Sequence, residues 1–116
     1  MNFSMQRSQN GGTVIFSCSG SEFTLADARK LLEAFRADFQ NGFRNFILDF
    51  KGATICSIAF GNAFSDVLDA VKSGNAKLGV INLSPVTASR LKLSAIYDRC
   101  DIYPSESAAL HSSQFR

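Results

Sequence analysis

The stretch from Leu48 to Phe64 constrains the fold most, because it joins a buried strand to an amphipathic helix. It has the sequence LDFKGATICSIAFGNAF. The residues from Phe43 to Phe50 are mostly apolar, which is typical of a strand covered on both faces. After a short loop, apolar residues recur with helical spacing, namely Phe60, Phe64, Val67, Leu68 and Val71. Such a unit requires a layer of helices packed against a sheet.

The amino-terminal residues predict a β-hairpin. A short edge strand over Asn2 to Gln9 is followed by Asn10-Gly11-Gly12, and Asn-Gly is a strong hairpin signal because both residues tolerate positive φ. The next segment, Thr13 to Cys18, is rich in β-branched and aromatic residues. We therefore expect two antiparallel strands that turn at Asn10-Gly11.

Helices and strands alternate after the hairpin. Thr24 and Asp27 nearly match a capping box, ahead of an amphipathic helix that Asn41-Gly42 should end. The helix after the central loop should end at Gly74. The later predicted elements are a strand over Ala76 to Leu83, a helix opening at Ser84-Pro85 with Val86, Leu91 and Ile96 toward the core, a brief strand at Ile102-Tyr103 and a short helix over Ser105 to Leu110.

This order predicts an α/β fold in a single domain. A mixed sheet of four or five strands should carry its helices mainly on one side. We expect the domain to occupy residues 1–110 and residues 111–116 to form a disordered tail. The helix after the central loop would then begin at the carboxyl edge of the sheet, where ligands of open α/β sheets tend to bind.

Composition and charge argue against several classes of protein. The formal net charge is +2 with basic residues scattered along the chain, which argues against a nucleic-acid-binding protein. No apolar run has the length of a signal peptide or a membrane span. Three cysteines without a C-x-x-C spacing indicate free, mostly buried thiols in a reducing compartment. We therefore expect a cytoplasmic protein.

The sequence carries few candidates for catalysis. His111 is the only histidine, so Ser-His, Cys-His and histidine-based metal sites have no obvious partner, and no phosphate-binding glycine motif is present. We predict no enzyme activity, no metal and no cofactor. Cys56 would be reactive if its pKa were lowered at a helix N-terminus, but a small buried residue is the favoured interpretation. Asp49 could assist a phosphate site or, as we favour, be satisfied by loop N–H groups.

Ser57 stands where the N-cap of the central helix belongs. Its hydroxyl can accept a hydrogen bond from an N–H group two or three residues later. The same junction presents backbone N–H groups and a partial positive charge, which suit a phosphate, a nucleotide or a partner. Capping alone is the favoured interpretation.

The central stretch resembles the STAS domain, the sulfate-transporter and anti-sigma-factor-antagonist family. Leu48-Asp49-Phe50 is similar to the family's Leu-Asp-Leu, and Phe60 to Ser73 is similar to the helix that follows it. Phe16 to Gly20 resembles the second strand with its glycine, and Ser84 to Leu91 resembles the third helix. The segment Tyr97 to Leu110 resembles the closing strand and helix.

The family signature Asp-Ser-Ser-Gly is replaced in this chain. Counted without gaps from Leu48, Ser57 takes the place of the Asp and Ile58 that of the phosphorylated Ser. Ala59 and Phe60 take the last two places. Isoleucine has no hydroxyl, so the family's phosphorylation switch cannot operate at Ile58. A one-residue slip in the loop would let Ser57 serve instead.

The resemblance implies a regulatory, non-enzymatic module that binds an anti-sigma factor or a serine kinase-like protein. The expected partner-binding residues are Thr54, Cys56, Ser57, Ile58, Ala59 and Phe60, which would offer an apolar patch at the helix start. Three alternatives stay open. Ser57 or Thr54 could be a working phosphorylation site, or the chain could be a cytoplasmic accessory subunit of a membrane transporter. The third is a small thiol-dependent enzyme that uses Cys56. The sequence does not indicate an oligomeric state.

Overall fold

A computed structural model describes residues 2–54, 58–93 and 95–112, with only the backbone of residues 58 and 59. Within these ranges the chain forms a layer of strands flanked by helices. The strands are β1 (Ser4–Asn10), β2 (Thr13–Gly20), β3 (Asn45–Ala53), β4 (Lys77–Ile81) and β5 (Asp101–Tyr103). The helices are α1 (Leu25–Gln40), α2 (Ile58–Ser73), α3 (Pro85–Leu93) and α4 (Glu106–Leu110), and a 3₁₀ turn at Tyr97–Arg99 precedes β5.

The strands form one mixed sheet in the order β1-β2-β3-β4-β5, which confirms the predicted fold class. β1 is antiparallel to β2, and the other neighbouring strands are parallel. The hairpin turns one residue later than predicted, because Asn10 still pairs with Thr13 and the turn falls on Gly11 and Gly12. Gly11 has a φ of 58°, a conformation that glycine adopts without steric cost.

The sheet buries a different core on each face, because successive side chains of a strand point to opposite sides. Val14, Phe46 and Val80 belong to the larger core, which also contains Leu31, Phe64 and Leu91 from α1, α2 and α3. On the other face, Ile15, Ile47 and Ile81 pack with Ala109 of α4. The helices therefore lie mainly on one side of the sheet, as predicted.

The helices begin and end close to the capping residues that the sequence predicted. At the start of α1, Asp27 N donates 3.2 Å to Thr24 Oγ1, and Thr24 N donates 2.9 Å to Asp27 Oδ2, which completes the capping box. At the start of α3, Thr87 N donates 3.2 Å to Ser84 Oγ. Gly42 ends α1 with a φ of 95°. α2 begins at Ile58, within one residue of the predicted start.

β3 is longer than predicted, since it continues past Phe50 to Ala53. Its last residues pair with the end of β2, after a shift in register between Ser17 and Ser19. Gly52 and Ala53 then lie opposite Ser19 and Gly20. The composition Lys-Gly resembled a loop, but pairing with a neighbouring strand decided the conformation.

The prediction that Val86 faces the core was wrong, because its side chain is 50% exposed. Leu91 and Ile96 are buried, as predicted. Five residues of an α-helix turn through about 500°, so Val86 and Leu91 lie about 140° apart around the axis of α3. One of the two must therefore face away from the sheet.

Candidate functional site

The carboxyl ends of β2, β3, β4 and β5 meet at one edge of the sheet, because these strands are parallel. Thr54 follows β3 directly and is exposed. Its backbone N–H donates a hydrogen bond of 3.0 Å to the carbonyl of Gly20, at the end of β2. The connection from β3 to α2 therefore starts from a fixed position against the neighbouring strand.

Asp49 joins two of the strands near this edge. Its Oδ1 accepts hydrogen bonds of 2.9 Å from Lys51 N and of 2.9 Å from Asn82 Nδ2. Asn82 follows β4 with a φ of 58°, one of the conformations that asparagine tolerates better than most residues. These contacts favour a structural carboxylate that holds the β4–α3 connection. The donors are a backbone N–H of β3 and an asparagine side chain, and not the loop N–H groups that the sequence predicted.

The first turn of α2 is anchored by Phe60, whose side chain is 1% exposed. Its ring meets that of Phe23 edge to face at 5.2 Å and that of Phe50 at 5.6 Å between centroids. Phe64 follows one turn later at 5.5 Å from Phe60. Phe60 therefore does not belong to the predicted partner-binding patch, because its ring lies in the core and offers no surface to a partner.

The other predicted site residues are only partly described. Cys56 and Ser57 lie outside the described residues, and so does the predicted N-cap contact of Ser57. Ile58 and Ala59 form the beginning of α2. The structure thus brings Thr54 and the start of α2 to the same edge and places Phe60 beneath it.

A cleft of about 690 Å³ adjoins Thr54 on the side of α3 and β5. Its walls come from the end of β3, the β4–α3 connection, α3 and the residues around β5. The lining residues are Phe50, Lys51, Ala53, Thr54, Asn82, Leu83, Ser84, Ala88, Tyr97, Ile102, Tyr103 and Pro104. Sequence reasoning missed the contributions from β4, α3 and β5, although residues that follow parallel strands are expected at one edge.

The two described thiols are poor nucleophiles. Burial and, to a smaller extent, the negative charge of Asp49 together raise the pKa of Cys18 to about 12. Burial also raises the pKa of Cys100 to about 12, with a smaller contribution from Asp101. Both thiols therefore stay protonated near neutral pH. His111 lies at the end of α4, where its Nδ1 is 2.8 Å from the carbonyl oxygen of Ser107.

Within residues 2–54, 58–93 and 95–112, no three His, Cys, Asp or Glu side chains are grouped closely enough to hold a metal ion. None of the described helices is both long and apolar enough to cross a lipid bilayer.

Comparison with known proteins identifies both the family and the fold. The STAS domain profile matches residues 4–109. No curated protein sequence matches the chain. Among solved structures, a protein of Thermotoga maritima superposes with a TM-score of 0.78 at 16% identity, with 91% of each chain covered.

The Bacillus anti-sigma factor antagonist SpoIIAA is similar in two forms. Its unphosphorylated form superposes with a TM-score of 0.76 at 13% identity, over 92% of this chain and 94% of SpoIIAA. Its phosphorylated form superposes with a TM-score of 0.70 at 12% identity, over 90% of this chain and 96% of SpoIIAA. At these identities the likeness to solved structures establishes the fold.

Proposed function

We propose that this chain, which belongs to the STAS domain family, is a regulatory module that binds a protein partner and catalyses no reaction. Its partner would be an anti-sigma factor or a serine kinase-like protein, in keeping with the name of SpoIIAA as an anti-sigma factor antagonist. The contact surface would be Thr54, Cys56, Ser57, Ile58 and Ala59, at the carboxyl edge of the sheet.

The start of α2 at Ile58 carries this proposal. A helix that begins at the carboxyl edge of a parallel sheet lies where ligands of open α/β sheets tend to bind. Here the core takes Phe60, the third residue of the helix. The rigid ring cluster beneath would hold the first turn in place, which lowers the entropy lost on binding.

We further propose that the contact is constitutive, independent of phosphorylation. SpoIIAA is known in a phosphorylated form. Counted without gaps from Leu48, isoleucine takes the place of the family's phosphorylated serine, and Ala59 and Phe60 follow without a hydroxyl. A phosphate group at this place would carry a charge of about −1.5 to −2 and would disrupt an apolar interface by desolvation and repulsion.

The experiment is a pull-down from the native cell followed by measurement with the purified partner. Immobilised chain should retain an anti-sigma factor or serine kinase-like protein, identified by mass spectrometry. Ile58→Asp should weaken its binding by about tenfold or more, because a carboxylate would have to be desolvated in the contact. Ser73→Asp is the matched control, since Ser73 is exposed at the far end of the same helix.

Three results would contradict the proposal. The first is equal binding by the parent chain and Ile58→Asp. The second is retention of a transporter subunit alone, which would favour an accessory role at a membrane transporter. The third is retention of no protein at all.

A further inference from the structure

The outer edge of β1 is open. β1 is the last strand on its side of the sheet, and the described part of the chain places no strand beyond it. Its residues are exposed except for Met5, which is half-buried. An edge strand of this kind presents backbone N–H and C=O groups that can pair with a further strand.

The register with β2 shows which backbone groups of β1 face outward. The two-residue turn closes between Asn10 and Thr13, and hydrogen-bonded pairs alternate along an antiparallel ladder from there. Phe3 follows the same alternation, since its N–H donates 3.1 Å to the carbonyl oxygen of Glu22, outside this ladder. Every second residue of β1 therefore directs its backbone groups away from β2, namely Met5, Arg7 and Gln9.

β1 lacks the features that commonly protect an edge strand. Such strands are often short, bulged or interrupted by lysine or proline. β1 has the sequence SMQRSQN, and its seven residues pair with β2 without a shift in register. The opposite edge strand, β5, has three residues and is followed by Pro104. The fold therefore protects one edge of the sheet and leaves the other available.

The open edge carries no uncompensated charge. Arg7 is the only charged residue of β1, and its guanidinium is paired with Asp38 at 2.7 Å. All other residues except Met5 are Ser, Gln or Asn, whose side chains both donate and accept hydrogen bonds. Two identical strands can therefore pair without repulsion, whereas a charged segment of another protein would gain no ion pair. A second copy of the chain fits this edge best.

The helix beside this edge leaves room for a second copy. Lys30 of α1 lies next to the start of β1, since it lines the same small cavity as Phe3 and Met5. A helix turns about 100° per residue, so Ala34 and Ala37 lie within about 40° of Lys30 around the axis of α1. Their small side chains allow the α1 helices of two copies to approach each other closely.

We propose that two copies of the chain associate through β1, antiparallel about a two-fold axis, so that two sheets of five strands become one sheet of ten. The contact uses the same edge of both copies, so the assembly closes at two chains with the short β5 strands at its ends. The proposed partner surface stays accessible, because β2 separates β1 from β3, the strand that leads to Thr54. This inference is therefore independent of the proposed function.

Sedimentation equilibrium of the full chain tests the association, with a reductant present to exclude disulfides between copies. The measured mass should rise from one chain to two as the concentration increases, and then stay constant. A mass of one chain at every concentration overturns the inference, and so does growth beyond two chains.

Charges placed near the midpoint of β1 test which surface associates. Gln6 and Ser8 flank Arg7, the central residue of the strand, so they lie beside their counterparts in a two-fold pair. Gln6→Lys combined with Ser8→Lys should raise the dissociation constant of the dimer about tenfold or more, and the corresponding glutamate pair should do the same. An equimolar mixture of the lysine and glutamate variants should dimerise again, because opposite charges then meet.

Asn62→Lys combined with Ser73→Lys is the matched control, since both residues are exposed on α2. This variant should leave the dissociation constant of the dimer unchanged, and circular dichroism should show the same fold for all variants. Dimers that tolerate lysine at both positions of β1, or that do not re-form in the mixture, overturn the role of β1.

Amide hydrogen exchange followed by NMR tests the pairing without any substitution. The outward-facing N–H of Arg7 should exchange about tenfold more slowly in concentrated than in dilute solution, whereas Ser8 N–H, already bonded to β2, should change less. An exchange rate of Arg7 N–H that does not depend on concentration overturns the inference. Protection that appears only after another protein is added would assign the edge to a strand of that protein and overturn the second copy.

Discussion

Arg7 on the edge strand β1 forms an ion pair with Asp38 near the end of α1, with 2.7 Å between Nη2 and Oδ1. Arg7 Nε also donates to both carboxylate oxygens, at 3.0 and 2.9 Å. Asp38 is buried near the C-terminal end of a helix, where the helix dipole disfavours negative charge. Hydrogen bonding to Asp38 raises the pKa of Arg7, so the guanidinium stays charged.

Arg7→Met should therefore destabilise the fold, because the Asp38 carboxylate would stay buried without its cation. We expect a loss of thermal stability on the order of 5 °C, measured by circular dichroism. Arg7→Met combined with Asp38→Leu should recover part of the loss. Arg36→Met, at an exposed arginine of α1, is the control, and an equal effect of both arginine variants would contradict the prediction.

Phe64→Ala tests the apolar stripe of α2. The side chain is fully buried, and its ring lies 5.5 Å from that of Phe60. Removal of a buried ring leaves a cavity, so the free energy of unfolding should fall by roughly 3–5 kcal/mol in urea denaturation. Asn62→Ala, on the exposed side of the same helix, should have little effect. An unchanged midpoint for Phe64→Ala would show that the stripe is not core.

Gly20 and Gly42 form a matched pair for measuring a backbone contact. Both have positive φ, 98° and 95°, but a Cβ on Gly20 would collide with the backbone of Asn2, whereas one on Gly42 would meet nothing within 4 Å. Gly42→Ala should lower the free energy of unfolding by about 1–2 kcal/mol, because alanine is strained at positive φ. Gly20→Ala should lower it by about 1–3 kcal/mol more, because its Cβ would also collide with backbone atoms. Equal unfolding free energies would mean that the chain at Asn2 moves aside.

The buried thiol of Cys18 should make stability depend on alkaline pH. Its pKa is raised from 9.0 to about 12 in the folded chain, so the unfolded chain loses this proton first as pH rises. The stabilisation is complete below pH ~9 and is lost progressively toward pH ~12. Two variants are compared, Cys56→Ala alone and Cys56→Ala combined with Cys18→Ala. Between neutral pH and pH 10, the free energy of unfolding should fall by about 1 kcal/mol more in the variant that keeps Cys18.

Dithiobis-nitrobenzoate provides an independent check on the same thiol. At pH 8 it should modify Cys18 only after unfolding. Parallel stability curves for the two variants, or rapid modification of the folded chain at Cys18, would show that this thiol is accessible.

Phosphorylation should fail at Ile58, because isoleucine carries no acceptor hydroxyl. The chain is incubated with a cognate serine kinase and ATP, and phosphate is mapped by mass spectrometry, with Ser57→Ala as the control. We expect no phosphate at Ser57 either, and partner binding that does not respond to ATP. Stoichiometric phosphate on Ser57 that releases the partner would restore a working switch and end the constitutive interpretation.

The sequence by itself determined the features that depend on neighbouring residues. Thr24 and Asp27 cap α1 across three positions, and Ser84 caps α3 in the same way. The spacing of Phe60 and Phe64 predicted one apolar side of α2, because helical periodicity places such residues on the same side. The order of elements then predicted the mixed sheet, and the quoted motifs indicated the family.

Tertiary structure alone decided the features that join distant parts of the chain. Asp38 is buried because Arg7, 31 positions away, reaches it from the edge strand. The end of β3 is a strand because the end of β2 offers hydrogen bonds to it. Phe60 is core and not surface because Phe23 and Phe50 surround it. These outcomes depend on which residues meet across the sheet, and local propensity carries no information about such pairs.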